Sequence, residues 1–168
     1  MREPQAGEPQ AREPPTILDL LKQILSERTK NDSATNSLVL VVISEDSDGI
    51  VPNEELMKTI ASFNQYNEKP KVLISISEQV TAGDIDERDI PLHDVPGTTE
   101  NTLSSSCHPQ RIDLPKCFDE LSKVLARGAY EWEMEDLVRF FYFRLGEEPN
   151  IQRNMSNKKL FLLPKFFE

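Results

Sequence analysis

The chain has 168 residues, room for one domain of ordinary size at roughly 100–200 residues per domain. With 19 Lys and Arg against 29 Asp and Glu, the net charge of −10 and pI near 4.8 argue against nucleic acid as a partner, because a phosphate backbone is repelled over most of such a surface. The 38% apolar residues stay below the ~45–50% of ordinary globular chains even with the 6 glycines added, so part of the chain is expected outside the core.

No apolar run approaches the ~20 residues of a membrane span, and the opening residues lack the apolar segment of a secretory signal, so a soluble cytoplasmic protein without membrane contact is expected. The two cysteines, Cys107 and Cys117, make neither a disulfide framework nor a four-ligand zinc pattern. No metal and no cofactor are expected.

Residues 1–15 repeat a Glu-Pro-Gln-Ala motif and are too polar to offset chain entropy, which predicts a disordered lead-in. Thr16 then caps a helix with Leu18, Leu21, Ile24 and Leu25 on one face. Leu38 to Ile43 is a run of six apolar, mostly β-branched residues, the pattern of a strand covered on both faces. Asp46-Ser47-Asp48-Gly49 reads as a turn, and Pro52-Asn53 opens a helix through Leu56, Ile60 and Phe63 that ends near Asn67. A second strand covers Lys71 to Ile76. Strand, helix and strand in this order make a βαβ unit, so the fold class is α/β with a mostly parallel open sheet and helices on both faces.

From residue 81 to 116 the periodicity fails. Six Gly and Pro residues interrupt it, acids gather at Asp84, Asp86, Glu87 and Asp89, and Ser and Thr fill 98–106, which predicts a linker. Two helices follow, one on Phe118, Leu121, Val124 and Leu125 closed by Gly128, the other on Met134, Leu137, Val138, Phe141 and Leu145 closed by Gly146. Leu160 to Phe167 suits a last strand, held to an edge by Pro164.

The order of these segments over residues 16–168 resembles the caspase family of cysteine proteases. Asp32 to Ser44 is similar to the family's polar lead and buried strand ending in Ser-His-Gly, and Gly49 to Asn64 to its next helix. Lys69-Pro70-Lys71-Val72-Leu73-Ile74 looks like the strand leading to Gln-Ala-Cys-Arg-Gly, Phe118 to Leu145 like the two small-subunit helices, and Asn157 to Phe167 like the final strand. The resemblance implies a large-subunit-like part (16–80), a linker (81–116) and a small-subunit-like part (117–168), truncated on the N-terminal side by the family's first strand.

The departures fall on the chemistry. Glu45 stands at the family's histidine position and Glu78 at its cysteine position. A cysteine protease needs a thiolate and an imidazole in hydrogen-bond reach, and a carboxylate is a poor nucleophile toward an amide. Ser106-Cys107-His108-Pro109 also carries no arginine matching the family's Asp-binding pocket. The adjacent Cys107 and His108 read as solvated loop residues, and His93 as an ordinary residue of an acidic loop. Cys117 begins a helix, where the dipole can lower a thiol pKa, although a small residue at a helix start is the commoner reading.

The reading that follows is a catalytically dead caspase-like protein. It would bind a caspase or caspase precursor as a heterodimer, or a second copy of itself, through Leu160, Phe161, Leu162, Leu163, Phe166 and Phe167. Inhibition is favoured over activation, and Asp84, Asp86 and Asp89 are the sites at which the linker would be cut. The rivals are an unrelated α/β interaction domain, a hydrolase using Cys117 or the Glu45 and Glu78 pair, and a remnant that folds poorly. In the run Phe140 to Phe143, too wide for one helical face, core packing and a partner surface are equally open.

Overall fold

The computed structural model describes residues 14–31, 37–45, 51, 53–79, 101–155 and 159–162. The expected lead-in up to residue 13, the turn at 46–49, His93, Asp84, Asp86 and Asp89, and Leu163, Phe166 and Phe167 lie outside the described residues.

Helix α1 (Ile17–Asn31) begins with a reciprocal cap: the Asp19 N–H donates to Thr16 Oγ1 at 3.2 Å and the Thr16 N–H to Asp19 Oδ2 at 3.2 Å. Strand β1 (Leu38–Ser44) follows, then α2 (Asn53–Ala61), a 3-10 turn at Asn64–Tyr66 and strand β2 (Lys71–Ser77). The predicted second helix thus ends earlier as an α-helix and tightens into the 3-10 turn. Lys71 explains the turn's firmness. Its buried ammonium donates to the carbonyls of Tyr66 (2.8 Å), Asn67 (3.1 Å) and Lys69 (3.0 Å), the first of which also accepts the Lys69 N–H at 3.2 Å.

Strand β3 (Thr102–Cys107) corrects the expected linker over 81–116, because six residues of that stretch form an inner strand and are all buried. Ser is a weak strand former, and Thr-Leu-Ser-Ser-Ser-Cys has no apolar periodicity to find. Burial succeeds because hydroxyls are paired: Ser105 Oγ donates to the Leu73 carbonyl at 3.2 Å and lies 3.1 Å from Tyr142 Oη. Burial pushes the Tyr142 phenol well above its ordinary pKa and keeps it neutral.

Helix α3 (Leu114–Gly128) starts at Asp113, whose carboxylate accepts the Lys116 N–H at 3.0 Å, with Pro115 in the first turn. Helix α4 (Met134–Leu145) stops at Gly146, where φ is +82° and the Glu147 N–H reaches back to the Tyr142 carbonyl at 3.0 Å. Gly128 does more than close α3. A Cβ there would run into Leu137 Cδ2 and the Trp132 ring, so glycine permits the close approach of α3 to α4.

The last described strand is β4 (Asn150–Asn154), and of the strand expected at 160–167 only the first three residues are described. Leu160, Phe161 and Leu162 are not in a strand; the Leu160 carbonyl accepts the Met134 N–H at 2.7 Å and Leu160 and Leu162 lie against the core. The edge falls instead to Asn-Ile-Gln-Arg-Asn, fixed to the start of α4 by Arg153, which bonds Glu133 at 2.9 Å and Glu135 at 2.8 Å.

The strands lie in the order β1-β2-β3-β4, with β1, β2 and β3 parallel and β4 antiparallel to β3. Alternation divides the core. Leu38, Leu40, Val42 and Leu73 meet Leu21, Leu25, Leu56, Met57 and Ile60 of α1 and α2. Val72, Ile74, Ile76 and Leu103 meet Val124, Leu137, Val138, Phe141 and Tyr142 of α3 and α4 on the other face. The α/β class with helices on both faces holds. Among the described residues no helix is long and apolar enough to cross a membrane.

Across α3 and α4, Arg144 Nε donates to Glu120 Oε2 at 2.7 Å and Lys123 Nζ to Glu120 Oε1 at 3.3 Å. The Arg144 hydrogen bond holds the Glu120 carboxyl down at about 2, against an ordinary value of 4.5. A carboxyl lowered on folding stabilises the fold fully above its unfolded pKa, and that contribution is lost as pH falls from about 4.5 through about 2. Glu120→Gln should therefore flatten the decline of urea midpoint across this window. An unchanged acid limb would show that the pair contributes nothing on folding.

Candidate functional site

In open α/β sheets sites gather where parallel strands end at their carboxyl edge. Here β1 and β2 end in register at Ser44 and Ser77, and β3 one pair earlier with Cys107 opposite Ile76. Glu45, Glu78 and His108 thus emerge at one edge. The Glu78 N–H donates to the Ser44 carbonyl at 3.3 Å, and its carboxylate Oε1 accepts the Ile112 N–H at 3.0 Å. With Gln79 N–H on the Pro109 carbonyl at 2.8 Å, Glu78 ties the end of β2 to the segment that leads into α3. Glu45 is exposed, and among the described residues no hydrogen bond joins it to Glu78. The two carboxylates share an edge without forming a hydrogen-bonded pair of the kind that shares a proton.

His108 corrects the solvated-loop expectation for the Cys107-His108 pair. Its Nδ1 lies 2.9 Å from Ser77 Oγ, a hydrogen bond between the ends of β2 and β3 that no local sequence signal announces. Serine beside histidine is the arrangement of a nucleophile and its base. Ser77 is only 3% exposed, however, which closes its hydroxyl to a substrate and makes the pair a brace between strands.

Both thiols are buried. Cys107 lies in β3, and burial, aided by the Glu147 charge, pushes its pKa up to about 12. Cys117 sits in the first turns of α3, where the lowering that a helix start can give is outweighed: burial and the Asp113 charge, against Lys116, raise its pKa. A cavity of about 60 Å³, lined by Ile76, Arg111, Ile112, Lys116, Cys117 and Glu147 among others, has room for a few waters and not for a peptide. Among the described residues no three His, Cys, Asp or Glu side chains gather as metal ligands would.

The aromatic run resolves into two roles. Phe141 and Tyr142 are buried, whereas Phe143 is 73% exposed. Trp132 meets Phe140 edge-on with centroids 5.0 Å apart, and Phe140 stacks with Phe143 at 6.1 Å. Together with Asp136 and Arg139 these rings line an open groove of about 420 Å³ on α4. Spacing alone could have found it, since 136, 139, 140 and 143 form one helical face.

Comparison with solved structures finds a similar arrangement in the structure of pro-sf-caspase-1, with a TM-score of 0.55 and 12% identity over 83% of this chain and 70% of that chain. No family model and no curated protein match the sequence. The likeness is one of fold: an open, mostly parallel, caspase-like α/β sheet.

Proposed function

We propose that this chain is a non-catalytic caspase-like protein that regulates proteolysis in the cytoplasm by binding a catalytic caspase or its precursor. The observation that carries the reading is Glu78. At the position matching the family's nucleophile stands a carboxylate already committed to the Ile112 N–H, while Glu45 occupies the histidine position. A carboxylate is a poor nucleophile toward an amide, and one oxygen of this one is already taken by the Ile112 N–H. The burial and raised pKa of both cysteines support the same conclusion.

Binding, in place of cleavage, needs a surface, and the small-subunit-like part offers the aromatic groove on α4. Exposed aromatic rings beside an arginine are the residue types that dominate interface energetics. Occupation of a precursor's partner site by a chain that cannot cut favours inhibition over activation.

The test mixes the purified chain with a single-chain caspase precursor at rising ratio, following complex formation by light scattering and turnover of an Asp-peptide substrate. A complex with falling turnover is expected, weakened about tenfold or more by Phe143→Asp. A complex with rising turnover would reverse the sign of regulation, and no complex would overturn the reading.

A further inference from the structure

The two edges of the sheet are built differently. β4 presents Asn150, Gln152, Arg153 and Asn154, polar and charged residues of the kind that discourage strand addition. β1 presents Leu-Val-Leu-Val-Val-Ile-Ser, with no charge and no proline. Every described β1 side chain is only half-buried or exposed, Val39 reaching 38%, although the run has the composition of an inner strand.

The backbone shows what the edge lacks. The Leu38 N–H donates to the Pro70 carbonyl at 2.9 Å and the Ser44 carbonyl accepts the Glu78 N–H, so even-numbered residues of β1 direct their polar groups toward β2. Alternation then turns the N–H and C=O groups of Val39, Val41 and Ile43 away from the sheet, where among the described residues they meet no partner.

We propose that a second copy of this chain covers this edge, β1 pairing antiparallel with β1 about a twofold axis through Val41. In that register Val41 faces Val41 of the second copy and Val39 faces Ile43. All three outward residues then fall in hydrogen-bonded pairs, giving about six backbone bonds. The register is self-complementary in charge as well. Glu45 comes opposite Ser37, so the nearest carboxylates do not meet. An axis normal to the sheet keeps the α1 and α2 layer of one copy beside that of the other, and the two four-stranded sheets become one.

This interface lies at the opposite edge of the sheet from β4, and the aromatic groove on α4 includes no β1 residue, so it stands or falls separately from the binding of a caspase. With −10 on each copy, association should strengthen as salt screens their repulsion.

Sedimentation and light scattering of the full chain, from low to high micromolar concentration and from low to near-molar salt, should show a species of twice the 19.2 kDa chain mass. Val39→Lys, which places a charge on the open edge, and Val41→Pro, which removes an outward donor, should each weaken self-association by about tenfold or more while retaining a cooperative melt. Phe143→Asp should leave it unchanged. Should Val41→Pro fail to fold, amide exchange on the unmodified chain decides: the Val39, Val41 and Ile43 amides should be protected at high concentration and exchange freely at low. A monomer under all conditions, a dimer that survives Val39→Lys or is dissolved by Phe143→Asp, or exchange at these amides that ignores concentration overturns the proposal.

Discussion

Phe141→Ala should lower the unfolding free energy by about 3–5 kcal/mol, the range for removing a buried aromatic ring whose cavity cannot collapse. The ring is 1% exposed and belongs to the cluster in which α4 meets Val72, Ile74 and Leu103. Against a domain stability of about 5–15 kcal/mol this is a loss of about a fifth or more. Urea unfolding followed by far-UV circular dichroism gives the midpoint and slope. Phe143→Ala, two residues along and 73% exposed, is the internal comparison and should fall within about 0.5 kcal/mol of the parent. Similar losses in the two variants would mean that the α4 face has been assigned backwards.

Lys71→Met carries the second large effect. Methionine fills nearly the same space but leaves the carbonyls of Asn67 and Lys69 without the ammonium donor and that of Tyr66 with the Lys69 N–H alone, in a largely buried setting. At about 1–3 kcal/mol for an unsatisfied buried group, softened by local relaxation, a loss of about 3 kcal/mol is expected. The loss should persist at high salt, since these bonds are shielded from solvent. Lys71→Arg should recover little, because a planar fork does not converge on three carbonyls as an ammonium does. A midpoint unchanged by Lys71→Met would show that the turn is held by its backbone alone.

Lysine at the first position of an inner strand illustrates where sequence reasoning reached and where it stopped. The run Leu38 to Ile43, the shorter run Val72-Leu73-Ile74, and the stripes of the two late helices are apolar patterns, and each became the element that its pattern announces. β3 and β4 escaped because nothing apolar repeats in them. Within the buried Thr102 to Cys107, Ser105 pairs its hydroxyl with groups distant in sequence, and Asn150 to Asn154 is an edge held by Arg153 ion pairs. At the carboxyl edge the sequence located Glu45 and Glu78 at strand ends, but the Ile112 N–H on Glu78 and the Ser77 contact of His108 arise from tertiary placement. At Cys117 the helix position offered an activated thiol beside the plainer reading of a small residue at a helix start, and burial with the Asp113 charge favours the plainer one.

The β2 and β3 pairing has a consequence for the chain's covalent continuity. Six register pairs from Lys71 opposite Thr102 to Ile76 opposite Cys107 join residues before 80 to residues after 100, and the cluster around Phe141 draws on both sides of that divide. A backbone cut between the two strands would sever none of these bonds and expose none of that apolar surface. Connection through the intervening residues supplies effective concentration, a term that changes only logarithmically with length. The halves are partners in a complex that happens to be encoded as one chain.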